Sequence, residues 1–132
     1  MRLAKALMTM ATGLHALLCA LPLLCVVNLY AMAVRAAILL GRWPRGYYYH
    51  DDAVDHIGQG DLLYKSLYHS MGWLVVAAFL SVPFWLMLTI CLRGRYSLAG
   101  RWGRVALYGL GWLACVAVVV FDPGDCFEWF MD

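Results

Sequence analysis

Three long apolar runs, separated by two polar stretches of different character, set the pattern of this chain. The first run covers residues 6–34, and its only strongly polar or helix-breaking members are His15, Pro22 and Asn28. The second covers 68–92 and contains Pro83, and the third covers 105–121 and ends at Asp122-Pro123-Gly124. A helix needs about 20 apolar residues to cross about 30 Å of hydrocarbon. The first run exceeds that length, so it is expected to tilt, kink or protrude. Pro22 has no backbone N–H and is the expected kink. The helix is predicted to run on past Arg35 to Leu40 and to stop at Gly41-Arg42-Trp43-Pro44. Nothing in the run supplies a turn that would divide it into two spans. The pattern predicts an all-α integral membrane protein with three transmembrane helices. Residues 1–132 form one membrane domain, with an outer loop at 41–64, an inner loop at 93–104 and an outer tail at 122–132.

Composition excludes the soluble alternative. The chain is 64% apolar and 14% charged, against about 45–50% and about 25% in soluble domains. A 132-residue soluble domain could not hide that much apolar surface, because small domains leave much of their area in water. The 6–34 run is also far longer than the roughly 7–15 apolar residues of a signal peptide. Arg2, Lys5 and Ala31-Met32-Ala33 are therefore read as parts of an uncleaved first span. No lipobox precedes Cys19 or Cys25.

Charge distribution orients the spans. Arg2, Lys5, Arg93, Arg95, Arg101 and Arg104 fall on one side with no acid among them. The other side carries Arg35, Arg42, Arg45 and Lys65 with all eight acidic residues. Short basic loops stay cytoplasmic, so the expected topology is N-in and C-out. Trp43, Tyr47, Tyr48, Tyr49 and Trp73 mark one membrane boundary, and Tyr96 and Trp102 the other, as amphipathic rings do. Eight arginines against two lysines point towards a bacterial source. The expected location is the bacterial inner (plasma) membrane.

Candidate chemistry is sparse. His50-Asp51-Asp52-Ala53-Val54-Asp55-His56 is the richest local cluster. On a helical turn it would set Asp51/Asp55 and Asp52/His56 at i,i+4, and His50, Asp52, Asp55 and His56 together suit a divalent metal ion. The spacing is neither His-Glu-x-x-His nor an EF-hand loop, and a solvated acidic loop is the plainer reading. His15 is an ionisable group inside a span, which marks it for function by default; a neutral imidazole bonded to a neighbour is the simpler account. His69 lies at the opposite end of its span, so the two histidines do not suit a shared haem. Asn28 is expected to bond a neighbouring helix, and Arg35 to snorkel to the outer headgroups. No Asp or Glu lies in any span, which argues against proton- or cation-coupled transport. Ala16/Ala20, Ala33/Ala37 and Gly111/Cys115 have the small-residue spacing that permits close helix approach.

The tail from Asp122 to Asp132 is acidic and aromatic at once. As a short helix it turns Phe127, Phe130 and Met131 to one side and Glu128 and Asp132 to another. It is read either as an interfacial anchor or as a docking element, with Asp51, Phe127, Trp129 and Phe130 as interaction residues. The five cysteines contain no Cys-x-x-Cys, and only Cys126 lies in a polar flank, free or paired between chains. Walker, Gly-x-Ser-x-Gly and dinucleotide motifs are missing. The inner arginines are explained by topology and anionic lipid, not nucleic acid.

Gly41-Arg42-Trp43-Pro44 after the first span, taken with Asp122-Pro123-Gly124…Glu128-Trp129-Phe130…Asp132, resembles small uncharacterised bacterial multi-span membrane proteins. Those proteins carry an Asn/Asp-Pro turn after Trp-Pro, where this chain has Tyr47-Tyr48-Tyr49-His50-Asp51-Asp52. The resemblance implies architecture and no activity. The functional expectation is a non-enzymatic accessory or interaction subunit without a resident cofactor. It would work through its outer loop and tail on the bilayer, a membrane-protein partner or a homo-oligomer. The alternatives are an outer-face divalent-metal-binding protein and an oligomeric pore or carrier lined by His15 or Asn28.

Overall fold

A computed structural model describes residues 2–44 and 60–131. Its elements are α1 (Arg2–Leu40), α2 (Leu62–Cys91), α3 (Leu98–Phe121) and the short α4 (Cys126–Met131). No strand occurs among the described residues. The first three helices are long and apolar enough to cross a membrane. As expected, α1 continues to Leu40 and stops at Gly41, whose φ of +67° suits glycine. Pro22 lies within α1 without ending it.

Two helices begin ahead of the apolar runs they contain. α2 begins at Leu62 and not at 68, and α3 begins at Leu98 and not at 105. The cause is capping. The Asp61 carboxylate accepts the Tyr64 N–H at 2.7 Å, and the Ser97 hydroxyl accepts the Gly100 N–H at 3.2 Å. Such caps satisfy the free N–H groups of a first turn and nucleate helix before the apolar run begins. The connection between α2 and α3 is shorter in consequence, and Arg101 and Arg104 ride on α3.

α1 is the central element, and α2 and α3 both pack along it. Its buried positions include His15, Leu18, Pro22, Cys25, Leu29, Met32 and Ala36, with Cys19 and Ala33 buried beside them. The first set alternates spacings of three and four, as in the seam of a left-handed bundle. Met71 and Ala78 of α2 and Val118 of α3 complete the core with Tyr64 and Cys126.

At the contact of α1 with α3, a Cβ on Gly111 would sit 3.0 Å from the Leu23 nitrogen and 3.1 Å from Pro22 Cβ. Only a hydrogen fits there. Cys115 Sγ lies 3.1 Å from the Pro22 carbonyl one turn further along, so the Gly111/Cys115 pair marks a close approach as expected. Ala16, by contrast, is exposed, and Ala36 accompanies Ala33 in the core.

α2 and α3 meet differently, through large rings that hold their backbones apart. Trp85 stacks on Tyr108 with centroids 4.2 Å apart, and Phe79 meets Trp112 at 5.3 Å.

Candidate functional site

The up-down-up course gathers polar groups at the two ends of the bundle. The start of α1, the end of α2 and the start of α3 share one end. Arg35, Asp61 and the tail share the other.

At the first end, His15 is 2% exposed. Its Nε2 lies 3.0 Å from Thr89 Oγ1. The Thr89 hydroxyl already donates to the Trp85 carbonyl at 2.8 Å, so here it accepts, and Nε2 carries the proton. Nδ1 then takes the more distant Tyr96 hydroxyl at 3.4 Å. These partners place a proton on Nε2. Arg104 lies over the Tyr96 ring, 4.3 Å from its centroid, and its Nη1 approaches the Thr12 carbonyl at 3.5 Å. Arg95 Nη1 contacts Met8 Sδ at 3.1 Å. The buried Trp85 indole N–H faces the Cys19 thiol and has no nitrogen or oxygen acceptor among the described residues.

Midway along the bundle, Asn28 Nδ2 donates to the Leu67 carbonyl at 3.0 Å and lies 3.6 Å from Met71 Sδ. The Ser70 hydroxyl is 3.2 Å from Asn28 Oδ1. Ser81 and Tyr108 share a buried hydrogen bond of 3.0 Å between α2 and α3. Polar side chains that bond across helices hold the helices in register. Both His15 and Asn28 are committed to such bonds within one chain.

At the other end, Arg35 does not reach outward alone. Its Nε donates to Asp61 Oδ1 at 3.3 Å and its Nη2 to Asp61 Oδ2, a two-point contact of guanidinium with carboxylate. The snorkelling expected from the sequence is therefore replaced by an ion pair. The Arg35 guanidinium, helped by the Tyr64 N–H, holds the Asp61 carboxyl below the usual carboxylate range. One carboxylate caps α2 and also ties α2 to α1.

The tail folds back on the same end. Asp122 ends α3 in the left-handed region at φ 35°, and its carboxylate accepts the N–H groups of Phe127 at 2.7 Å and Glu128 at 2.8 Å. This side chain closes one helix and opens the next, which is why an aspartate occupies a position where glycine is common. The Tyr30 hydroxyl donates to the Pro123 carbonyl at 3.0 Å, and the Trp43 indole donates to the Gly124 carbonyl at 2.7 Å. Cys126 is fully buried. Burial, and then the charges of Asp122 and Asp125, push its thiol up to about 11. A thiol held that way forms little of the reactive thiolate at neutral pH.

Phe127 and Phe130, read from the sequence as interaction residues, pack against the protein's own core, and Phe130 meets Tyr68 at 5.8 Å. Asp125, Glu128 and Met131 remain exposed. The division expected for α4 therefore differs at Met131, because Tyr68 and the core cover only the Phe127/Phe130 side. Trp129 belongs to the α4 backbone, and its side chain lies outside the described ones. His50, Asp51, Asp52, Asp55 and His56, the candidate metal and loop residues, lie outside the described residues.

Comparison with protein-family models, with curated proteins and with solved structures finds no match to this chain.

Proposed function

We propose that this is an integral protein of a bacterial inner membrane that crosses it three times. Its N-terminus would be cytoplasmic and its C-terminus outside, and it would act as a non-enzymatic accessory subunit. Its partner would be another membrane protein, met at the outer end. The observation that carries this reading is the clamped tail. Tyr30 of α1 and Trp43 just beyond its end hold the segment after α3 in place, and the Asp122 carboxylate starts α4. Asp125 and Glu128, with Met131 beside them, then form an exposed acidic rim. A rim that is ordered beforehand loses less conformational freedom on association than a loose tail would. Span length and hydropathy support insertion. The separation of basic from acidic ends supports the orientation.

Native mass spectrometry of gently extracted membranes tests the reading. The expected result is a heteromeric complex of fixed stoichiometry that dissociates in the Asp125→Asn/Glu128→Gln variant. A chain found alone, or a complex indifferent to both substitutions, would overturn it. Orientation is read separately in intact cells. An impermeant maleimide should label Lys65→Cys and leave Arg93→Cys untouched.

A further inference from the structure

The end of the bundle where α1 begins and α2 passes into α3 carries Arg2, Lys5, Arg93, Arg95, Arg101 and Arg104. Every acidic residue among the described ones, namely Asp61, Asp122, Asp125 and Glu128, belongs to the opposite end. Net positive charge alone would leave these side chains free in water, but two of them touch α1: Arg95, which stays exposed, and the half-buried Arg104. Arg95 contacts the Met8 sulfur at 3.1 Å. Arg104 is held between the Tyr96 ring, 4.3 Å away, and the Thr12 carbonyl, 3.5 Å away.

Met8 and Thr12 are four residues apart in one helix, which is about 6 Å along the axis. The two guanidinium groups thus contact residues one turn apart on the same helix, and no carboxylate among the described residues lies at this end to offset their repulsion. A thioether and a long carbonyl contact are weak acceptors for a cation. Each guanidinium has five N–H donors in a planar fork, and the contacts above engage one nitrogen of each. Forked donors at this separation suit a tetrahedral anion with several acceptor oxygens, and arginine matches phosphate in this way.

The borders of the place decide which phosphate. Leu7, Met8, Leu98 and Trp102 are all exposed there, so an anion held by Arg95 and Arg104 would sit beside apolar surface and an amphipathic ring. That is the environment of a lipid headgroup with its acyl chains against the helices. We propose that Arg95 and Arg104, brought together on the Met8–Thr12 turn of α1, form a binding site for the phosphodiester of an anionic phospholipid. The inference rests on the reading that this end lies at a membrane surface.

The test places the full chain in nanodiscs of equal parts phosphatidylglycerol and phosphatidylcholine and counts lipids retained on ejection into a mass spectrometer. The wild-type chain should keep phosphatidylglycerol in preference to phosphatidylcholine. Arg95→Gln/Arg104→Gln should lower that retention by about tenfold or more, since each basic group at a membrane surface contributes measurably to anionic-lipid attraction. Arg2→Gln/Lys5→Gln removes the same charge from the same end and should retain the lipid. Equal loss in both variants would reduce the effect to net charge and overturn the site. Displacement of the lipid by millimolar inorganic phosphate would assign the arginine pair to a soluble anion and overturn the lipid. Alkaline carbonate extraction of each variant tests spanning by itself. A chain released by carbonate refutes the membrane reading, whereas a carbonate-resistant chain without the lipid preference refutes only the site.

Discussion

His15 and Thr89 stand 74 positions apart in the chain, yet His15 Nε2 and Thr89 Oγ1 are 3.0 Å apart. The bond joins the early part of α1 to the last turns of α2. It uses the one hydroxyl whose proton is already committed to the Trp85 carbonyl. Thr89→Val keeps the shape and leaves the His15 N–H unpaired in an apolar setting. The expected cost is about 1 kcal/mol, within the range of interhelical hydrogen bonds in membranes. Thr89→Ser should restore it. Thermal melting in detergent, run on both variants, measures the difference; equal melting of Val and Ser variants would refute the assigned bond.

The Trp43 indole and the Gly124 carbonyl form the clamp of the tail. Trp43→Phe removes the donor and should loosen α4. Gly124→Ala should do the same by another route, since Gly124 has φ +94° and a Cβ there would meet Trp43 Nε1 at 3.2 Å. Cys126 reports the result. Buried and with its thiol pushed up to about 11, it should resist maleimide at pH 7.5 in the wild type and react in both variants. Rapid labelling of the wild-type chain at Cys126 would contradict the clamp.

Gly111 and Gly109 are two residues apart on α3 and should respond in opposite ways to alanine. Gly111→Ala forces a methyl to 3.0 Å from the Leu23 nitrogen and 3.1 Å from Pro22 Cβ, and overpacking of this kind costs about 1–3 kcal/mol. Gly109 has nothing within 4 Å of its would-be Cβ. Gly109→Ala should be neutral, or more stable by up to about 1 kcal/mol through helix propensity. Denaturation by sodium dodecyl sulfate titration separates the two.

Asp61 governs a pH response. Its carboxyl is held low in the folded protein, first by Arg35 and then by the Tyr64 N–H. A depressed folded-state pKa gives stability that is fully present above the unfolded carboxylate value of about 4. That stability is lost as pH falls through the lower folded value. Asp61→Asn should therefore melt below the wild type at neutral pH, with a gap that holds down to about pH 5 and narrows in stronger acid. A gap already closed at pH 6 would show that the pair does not stabilise the fold.

The number of long helices was legible along the chain because a bilayer demands uninterrupted apolar runs, and each run was present. The early starts of α2 and α3 were less visible. Asp61 and Ser97 are single polar residues, and a hydropathy reading registers them as loop. As caps they extend helix outwards into polar sequence. Arg35 shows a second limit. Its distance from Asp61 along the chain spans the whole connection between α1 and α2, and no local pattern points from one to the other. A long basic side chain near a span end has two outlets, headgroup or carboxylate, and only the return of α2 selected the second.

By itself, then, the chain determined three apolar helices and the gathering of its basic and acidic residues into separate stretches. Those properties depend on lengths and local composition. Which face of each helix turns inward was decided only in three dimensions. In a soluble protein the buried face announces itself as the apolar one. In these helices the outward face is apolar as well, so the contrast that would mark the interior is missing. The interior is marked instead by shape and by hydrogen bonds: Gly111 against Pro22, His15 with Thr89, Asn28 with Leu67, Ser81 with Tyr108. Each of these needs a partner on another helix, and a partner exists only once the helices have packed.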